Sequence, residues 1–416
     1  MQKTEKYYQR KIKEILDEVL VPAQGCTEPV AIALAAARAR EEVSGELQHI
    51  RLVVNSSLYR NAARVFIPGT SDFGVGMAAA LGYICGSAER GLEVLQDLDE
   101  KARKKARRLV DAGRVEYSVD RTVKRLYIDV TVRTDVDAAR TIILDKHTNI
   151  ELVETGEEIG SFVLQDKKMK EAQNGLLSEL DLQEYYELIE RLEHDDLEIV
   201  DEGIEFSWKL AQERLDELEY DEKDLLEYPP ALCQAASRAR MNGSDKPAMS
   251  LAGSGNQGIT VFLTLIGAAE VLNSSHRDLK KALVLAILIT TYIKGEMGAL
   301  SAMCGAGVAA AVGAGCGVSY LLDKDMDSLW RTVLNIYGVL TGMICDGAKP
   351  GCAKKVYLSS HCAIKSALQV DEGEFIRSNE GILAGDFREL IDNIARLDEN
   401  MDALDDEIIT ILQDQR

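Results

Sequence analysis

The sequence predicts an α+β fold, in which a mostly antiparallel sheet domain with helices packs on a larger all-α domain. Between about residues 48 and 165, short β-branched segments alternate with turn residues, as in strands. From residue 229 onward, apolar residues recur at helical spacing and are interrupted by glycine. With 416 residues, the chain is long enough for two or three domains that each bury a core.

Changes in composition divide the chain into four parts. We predict N-terminal helices in residues 1–45, an α+β domain in 46–165, an acidic helical connection in 166–228 and an all-α domain in 229–416. The connection has Glu, Asp and Leu at helical spacing, which is typical of solvated helices. It carries no evident chemistry.

Two helices are predicted in the first part. The segment Y-Y-Q-R-K-I-K-E-I-L-D-E-V-L is amphipathic, and P-V-A-I-A-L-A-A-A is rich in helix formers. Between them, Thr27 is the predicted N-cap and Pro29 suits the first turn of the second helix. Cys26 would then lie at a helix N-terminus, where free amides and the helix dipole favour a thiolate.

Six short segments of the second part predict strands. They are H-I-R-L-V-V-N-S-S, A-R-V-F-I-P-G-T, G-R-V-E-Y-S-V, R-L-Y-I-D-V-T-V, N-I-E-L-V-E and G-S-F-V-L. Helices are predicted for G-V-G-M-A-A-A-L-G-Y-I-C and for the charged segment 91–111. The segments in this order indicate a mostly antiparallel sheet with intervening helices.

Two apolar segments of the last part predict buried helices. Residues 280–293 are apolar on most faces, as in a central core helix. Residues 297–322 contain no charged residue and would be long enough to cross a bilayer. This second segment consists mainly of small residues and has no basic flank, so we predict a crowded helical core instead.

The net charge of −21 excludes nucleic acid and anionic membrane surfaces as favoured partners. The N-terminal residues M-Q-K-T-E-K-Y-Y contain no apolar run, so no secretory signal is visible and we predict a cytoplasmic protein. Eight cysteines in such a chain indicate thiols or metal ligands instead of a disulfide framework.

Three late cysteines are candidate metal ligands: Cys304, Cys345 and Cys352. The residues between the last two include two glycines and a proline, so they predict a loop that could surround an iron–sulfur cluster. Spacing alone leaves open that both are small apolar core residues. Zinc is disfavoured because no histidine lies nearby in sequence. The remaining cysteines apart from Cys26 are predicted to be core thiols: Cys85, Cys233, Cys316 and Cys362.

Two polar turns are candidates for binding a carboxylate. The glycine-rich segment S-L-A-G-S-G-N-Q-G-I-T precedes an apolar helix, and free amides at such a helix N-terminus bind anions. The segment R-N-A-A-R-V-F-I-P-G-T combines cations, an asparagine and a tight turn. The alternatives are a flexible connection for the first and a strand end for the second. The candidate substrate-binding residues are Asn61, Ser254, Asn256 and Gln257.

Six motifs in order, from about residue 6 to 370, resemble the L-cysteine desulfidases, which are similar to the iron–sulfur L-serine dehydratases. The motifs are Q-G-C-T-E-P, Y-R-N-A with P-G-T and A-A-A-L-G, A-S-R-A-R-M, G-S-G-N-Q-G-I, Y-I-K with G-A-L-S-A-M-C-G, and C-D-G-A-K-P-G-C-A-K-K. The resemblance implies an α-type dehydratase domain with a [4Fe-4S] cluster on Cys304, Cys345 and Cys352. It implies Cys26 as catalytic base and as a displaceable fourth ligand, with Asn256 and Gln257 beside the substrate.

The chain departs from the family pattern at two positions. Ala306 stands where the family commonly has a second cysteine, and Leu251 where it often has asparagine. The second departure leaves the substrate open. The resemblance implies conversion of L-cysteine to pyruvate, ammonia and sulfide. The alternatives are an L-serine dehydratase on the same scaffold and a non-catalytic iron–sulfur sensor. A small amino acid is the expected partner, and a homo-oligomer is possible.

Overall fold

A computed structural model of the chain describes residues 2–123, 125–156, 175–191, 197–298 and 301–414, together with Ile159 and Phe162. The strands are β1 (Leu20–Gln24), β2 (Leu47–Asn55), β3 (Val115–Asp120), β4 (Tyr127–Thr134), β5 (Ala138–Leu144), β6 (Ile150–Thr155) and β7 (Pro247–Leu251). The helices of the N-terminal and sheet part are α1 (Gln2–Val19), α2 (Thr27–Glu41), α3 (Ser56–Ala62), α4 (Val75–Cys85) and α5 (Glu100–Asp111).

The later helices are α6 (Gly175–Glu179), α7 (Leu182–Glu190), α8 (Glu198–Gln212), α9 (Tyr228–Met241), α10 (Gly255–Leu272), α11 (His276–Met297), α12 (Ala311–Leu321), α13 (Met326–Leu340), α14 (Cys352–Asp371), α15 (Phe387–Glu399) and α16 (Asp402–Asp414). Two 3₁₀ helices, Ala88–Glu93 and Leu215–Glu217, and one π-helical turn, Ala306–Ala310, complete the described secondary structure.

Five strands form one mixed sheet in the order β3-β2-β4-β5-β6. The β2–β3 pair is parallel, and the other described pairs of this sheet are antiparallel. The parallel pair needs a crossover connection, which α3, α4 and α5 provide between the two strands. The sheet is therefore mostly antiparallel with intervening helices, as the sequence predicts.

Two strand predictions in this region differ from the structure. The segment A-R-V-F-I-P-G-T is not a strand, because the chain folds back at Pro68–Gly69 and only an isolated bridge joins Phe66 to Phe73. The sequence analysis missed β5, whose central Arg140 interrupts an otherwise apolar run and is paired with Asp129 of β4. The predicted strand G-S-F-V-L lies outside the described residues except for Phe162, which is in no strand.

A second, two-stranded sheet was also missed. Strand β1 pairs antiparallel with β7, so that Leu20 is opposite Leu251 and Gln24 is opposite Pro247. Each strand is short and contains a proline, at positions 22 and 247, which weakens the sequence signal for a strand. The pairing ties the segment before Cys26 to the glycine-rich segment before α10.

The helical region is built around α11, which is buried along most of its length as predicted. The small residues of segment 306–321 allow close packing: a Cβ atom added at Gly313 would lie 2.4 Å from the carbonyl oxygen of Ala286 on α11. Among the described residues, only α10 is long and apolar enough to span a membrane, and 78% of it is buried inside the protein.

The acidic helices pack with one face on this same core. Tyr185 and Ile189 of α7 and Val200 and Leu210 of α8 are buried in the large hydrophobic cluster. These helices are amphipathic, and their apolar faces are covered by the helical region. The predicted domain boundaries at residues 45, 165 and 228 stay predictions.

Candidate functional site

Cys304 and Cys345 are placed side by side by a short backbone pairing. The amide of Cys304 donates to the carbonyl of Met343 at 2.8 Å, and the amide of Cys345 donates to the carbonyl of Ala302 at 2.7 Å. These bonds flank the isolated bridge between residues 303 and 344. A π-helical turn, an uncommon feature that is frequent at functional sites, begins two residues after Cys304.

Cys352 is the first residue of α14 and closes the loop that begins at Cys345. The loop reverses at Gly347, whose φ of 102° is in the region that favours glycine. A Cβ atom at this position would lie 2.3 Å from the carbonyl oxygen of Arg60. The loop therefore packs directly on the backbone of α3, and only glycine fits there.

The three thiols are close enough to influence one another's ionisation. Burial and the neighbouring Cys345 raise the pKa of Cys304 to about 11. Burial also raises the pKa of Cys352, and Lys355 opposes the shift at both thiols. No group of three or more His, Cys, Asp or Glu among the described residues surrounds a single metal ion. The three thiols are therefore electrostatic neighbours that do not form a preformed site for a single metal ion.

Cys26 lies against this loop although it is far away in sequence. Its side chain is 3% exposed and clusters with Val65 and Met241, and Cys352 packs against this cluster. Cys26 precedes α2 at the N-cap position, which the sequence analysis assigned to Thr27. The structure thus brings the predicted base beside one of the three predicted cluster ligands.

The expectation that the helix N-terminus favours a Cys26 thiolate is wrong for the protein as described. Burial and the charge of Glu28 raise the pKa of Cys26 well above its ordinary value. The Sγ atom of Cys26 donates a hydrogen bond to Glu28 Oε2 at 2.9 Å. Burial, and then the buried carboxylate next to the thiol, therefore favour the protonated form of Cys26.

Glu28 is the buried anion of the site. Its Oε1 accepts a hydrogen bond from Asn61 Nδ2 at 2.9 Å, and the Thr27 hydroxyl lies 3.1 Å from its Oε2. Burial disfavours ionisation, but His147 and the hydrogen bond from Cys26 more than offset this, and the pKa of Glu28 is lowered. A carboxylate adjoining the Cys26 thiol can accept its proton.

Asn61 connects this carboxylate to the cysteine loop. Its amide group donates to Glu28, and its Oδ1 accepts from Cys345 Sγ at 3.7 Å. The preceding residue, Arg60, is fully buried, forms an ion pair with Asp405 and donates to the carbonyl of Ser301 at 2.9 Å. Helix α3 is therefore held against both the cysteine loop and the C-terminal helix α16.

The glycine-rich segment brings Gln257 next to the first cysteine ligand. Ser254 is the N-cap of α10 and its side chain forms no capping hydrogen bond. The Asn256 Oδ1 accepts from Ser237 Oγ and from Arg240 Nη1, each at 3.2 Å, so this side chain is bonded to α9. A Cβ atom at Gly305 would lie 3.0 Å from Cδ of Gln257. Of Asn256 and Gln257, it is therefore Gln257 that adjoins Gly305, the residue after Cys304.

Four charged or titratable residues of the site were not assigned a role from the sequence: Glu28, His147, Arg240 and Lys294. Glu28, Arg240 and Lys294 belong to motifs quoted above, Q-G-C-T-E-P, A-S-R-A-R-M and Y-I-K, and could have been found there. Lys294 is buried, and its Nζ donates to Ser301 Oγ at 2.9 Å. Burial lowers the pKa of Lys294, while Asp398, Cys345 and Cys304 oppose that shift. His147 lies on the β5–β6 loop and is signalled by no motif.

A cavity of about 150 Å³ opens between the sheet region and the helical region. Thr27, His147, Gly253 and Lys294 are among the residues that line it. Cavities of about this volume bind molecules of roughly six heavy atoms, such as benzene. The cavity therefore has the size for a small amino acid and lies between Thr27, next to Cys26, and Lys294, next to the other thiols.

Several buried polar atoms around these residues have no hydrogen-bond partner. They are His147 Nε2, Arg240 Nε, Gln257 Oε1 and Arg60 Nε. Leaving a buried polar atom unpaired costs about 1–3 kcal/mol. These four atoms are therefore available to a polar ligand that enters the site.

Comparison with known proteins defines the class. A family model described as the serine dehydratase alpha chain matches residues 89–410, and this class is a lyase type of enzyme. The chain belongs to the serine dehydratase alpha chain family. It is similar to a UPF0597 protein of Clostridium tetani, with 33% identity across 97% of this chain and 98% of the relative.

Other relatives have the same description. A UPF0597 protein of Oleidesulfovibrio alaskensis is 37% identical, with 92% of this chain and 93% of the relative covered. A UPF0597 protein of Caldanaerobacter subterraneus subsp. tengcongensis is 35% identical over 96% of this chain and 97% of the relative. The similarity thus extends through the N-terminal part that contains Cys26.

Proposed function

We propose that the protein catalyses iron–sulfur-dependent β-elimination of L-cysteine to pyruvate, ammonia and sulfide. The small hydrophobic cluster that Cys26 and Cys352 share supports this most directly, because the candidate base then lies near a candidate cluster ligand. Asn61 adds to this support, since it bonds both Glu28 and Cys345. A metal site with an adjacent proton acceptor is the arrangement that removal of a proton next to a carboxylate requires.

Cys304, Cys345 and Cys352 would hold the [4Fe-4S] cluster. When bound, the cluster would supply an iron without a protein ligand, which acts as a Lewis acid toward the substrate carboxylate. Binding requires thiolates, so the raised pKa of Cys304 and of Cys352 means that loading releases protons. Lys355, which lowers the pKa of both thiols, assists that release.

Cys26 and Glu28 act as a pair on the α-proton. The Cys26 thiol already donates to Glu28 Oε2, so the carboxylate takes the thiol proton as Sγ takes the proton from Cα. Thr27 and Asn61 hold Glu28 in place for this transfer. The pair replaces the free thiolate that the helix N-terminus alone would have provided.

The elimination breaks two bonds of the substrate. The Cα–H proton passes to the Cys26–Glu28 pair, and the Cβ–S bond breaks with its electron pair leaving on sulfur as hydrogen sulfide anion. The resulting aminoacrylate tautomerises to an imine, and water hydrolyses the imine to pyruvate and ammonium. The walls of the cavity, including Thr291 and Ser250, surround the substrate during these steps.

L-Serine dehydratase activity is the second candidate, favoured by the description of the matching family model. The two substrates differ in a single β-atom, and the same residues serve both reactions. A hydroxide leaves less readily than hydrogen sulfide, so serine needs more assistance at the leaving group. The cytoplasmic location and a homo-oligomeric state stay predictions.

The test is an anaerobic assay of reconstituted protein with L-cysteine and L-serine in parallel, measuring sulfide, pyruvate and ammonia. We expect equal amounts of sulfide and pyruvate from L-cysteine and a lower kcat/KM for L-serine. Preference for L-serine would replace the first candidate by the second. A fully loaded protein that converts neither amino acid would contradict both and favour the sensor alternative.

A further inference from the structure

His147 is one of the residues that the sheet region contributes to the cavity, and it belongs to none of the motifs noted above. It lies between β5 and β6, and its side chain is 7% exposed. One side of the ring is against the glycine-rich segment: a Cβ atom at Gly253 would lie 3.6 Å from both Cε1 and Nδ1. Gly253 has a φ of 82°, so this position combines a left-handed backbone with close contact to the imidazole.

The Nε2 atom of His147 is buried and has no hydrogen-bond partner in the described part of the chain. Such an atom normally has a partner, so Nε2 is available to a molecule that enters the cavity. The Thr27 hydroxyl lies 3.2 Å from the carbonyl oxygen of Gly253, so helix α2, the glycine-rich segment and the β5–β6 loop meet at this point.

Two charges act on the ring, those of Glu28 and Arg240. Burial lowers the pKa of His147 although Glu28 opposes the shift, so the ring is neutral at neutral pH. A neutral imidazole with its proton on Nδ1 presents Nε2 as a hydrogen-bond acceptor. An acceptor next to a buried carboxylate is complementary to a cationic donor.

An α-amino acid carries both charges that the site can recognise. Its ammonium group has donors only, and its carboxylate has acceptors only. Lys294 lines the cavity near Cys304 and Cys345, which is the cationic end and suits the carboxylate. His147 also lines the cavity, and the charge of the buried Glu28 carboxylate acts on its ring.

We propose that His147 accepts a hydrogen bond from the α-ammonium group of the bound amino acid, with the Glu28 carboxylate supplying the opposing charge. His147 is then a specificity residue that distinguishes α-amino acids from the corresponding carboxylic acids. This inference rests on the proposed function, because it identifies which part of the same substrate the sheet region recognises.

The experiment measures binding without turnover. L-Alanine keeps the ammonium and carboxylate groups but has no leaving group, and propionate lacks the ammonium group. Both are titrated calorimetrically into cluster-loaded protein under anaerobic conditions. The proteins are the parent, His147→Leu, His147→Gln and the control His49→Leu, the same substitution at a half-buried histidine of β2 that does not line the cavity.

We expect His147→Leu to weaken L-alanine binding about tenfold or more, since a hydrogen bond to a charged group is lost. Propionate binding should stay within about twofold of the parent. His147→Gln, which retains an acceptor, should recover part of the L-alanine affinity, and it serves as the test variant if His147→Leu does not fold. His49→Leu should bind both ligands as the parent does.

Equal L-alanine affinity in the parent and both His147 variants would overturn the inference and leave the proposed function standing. A parallel loss for L-alanine and propionate would also overturn it, because His147 would then support the cavity as a whole. Failure of the loaded parent protein to bind L-alanine, together with absence of turnover, would reject the proposed function and this inference with it.

Discussion

In the helical region, the site consists of sulfur atoms and a lysine: Cys304, Cys345, Cys352 and Lys294. In the N-terminal and sheet region, it consists of a thiol bonded to a carboxylate, with Asn61 and His147 beside them. The first set suits binding of a soft metal group, and the second suits proton transfer and hydrogen bonding. The difference indicates that metal binding and substrate chemistry can be disrupted separately.

Loss of a cluster ligand should have the largest effect. Cys345→Ser should lose the brown colour and nearly all bound iron, because three ligands are the minimum that holds a cluster with one open iron. We expect the same of the serine variants at Cys304 and Cys352. The measurement is iron and sulfide content of protein purified without oxygen.

Cys362→Ser is the control for these variants. Cys362 is a buried thiol on α14, the helix that begins at Cys352, and it forms a hydrogen bond with Ser366. It should retain the cluster. If all three ligand variants kept full iron content, the assignment of the metal to the helical region would be wrong.

Cys26→Ala should have the next largest effect and should separate the two regions. It should keep the cluster and lose turnover by about a hundredfold or more, the usual contribution of a general base. The measurement is kcat at matched iron content, with Cys85→Ala as the control thiol on α4. Turnover within a few-fold of the parent would eliminate Cys26 as base, and loss of iron would make it an essential ligand.

Asn61→Ala tests the connection between the regions. It removes one hydrogen bond to the buried Glu28 carboxylate and one from Cys345, and we expect a roughly tenfold loss of kcat with iron content maintained. Asn393→Ala, at an exposed asparagine bonded to a carbonyl group, is the control. An unchanged kcat would show that Glu28 does not need Asn61.

Asp405→Asn should have the smallest effect on turnover and act on stability. It removes the charge that pairs with the buried Arg60, so the free energy of unfolding should fall by about 1–3 kcal/mol. The thermal midpoint under anaerobic conditions measures this, compared with Asp406→Asn on the same helix. Equal midpoints would mean that the remaining partners of Arg60 suffice to hold α3.

The sequence was sufficient for features that depend on local patterns. The buried α11 and the three late cysteines follow from apolar spacing and from motifs, and the structure places Gln257 and Asn61 next to those cysteines. The sequence was insufficient where a contact between distant residues determines the secondary structure. Strand β5 contains Arg140, which is tolerated only because Asp129 lies on the neighbouring strand.

The same limit applies to the chemistry of the site. The helix N-terminus at Cys26 predicts a low pKa, but the folded chain buries the thiol and puts Glu28 in contact with it, and both effects raise the pKa. No sequence pattern indicates a role for His147, because its neighbours Gly253 and Glu28 belong to distant segments of the chain. The spacing of motifs does not predict contacts of this kind.

The pairing of β1 with β7 has a consequence for the order in which the protein is made. Residues 20–24 leave the ribosome long before their partners at 247–251, and β1 has no other strand partner in the described chain. Contacts of such high sequence separation form late in folding. The segment before Cys26 therefore cannot form its strand pairing until residues 247–251 have been synthesised. The candidate proton-transfer and metal-binding residues come together only in a nearly complete chain.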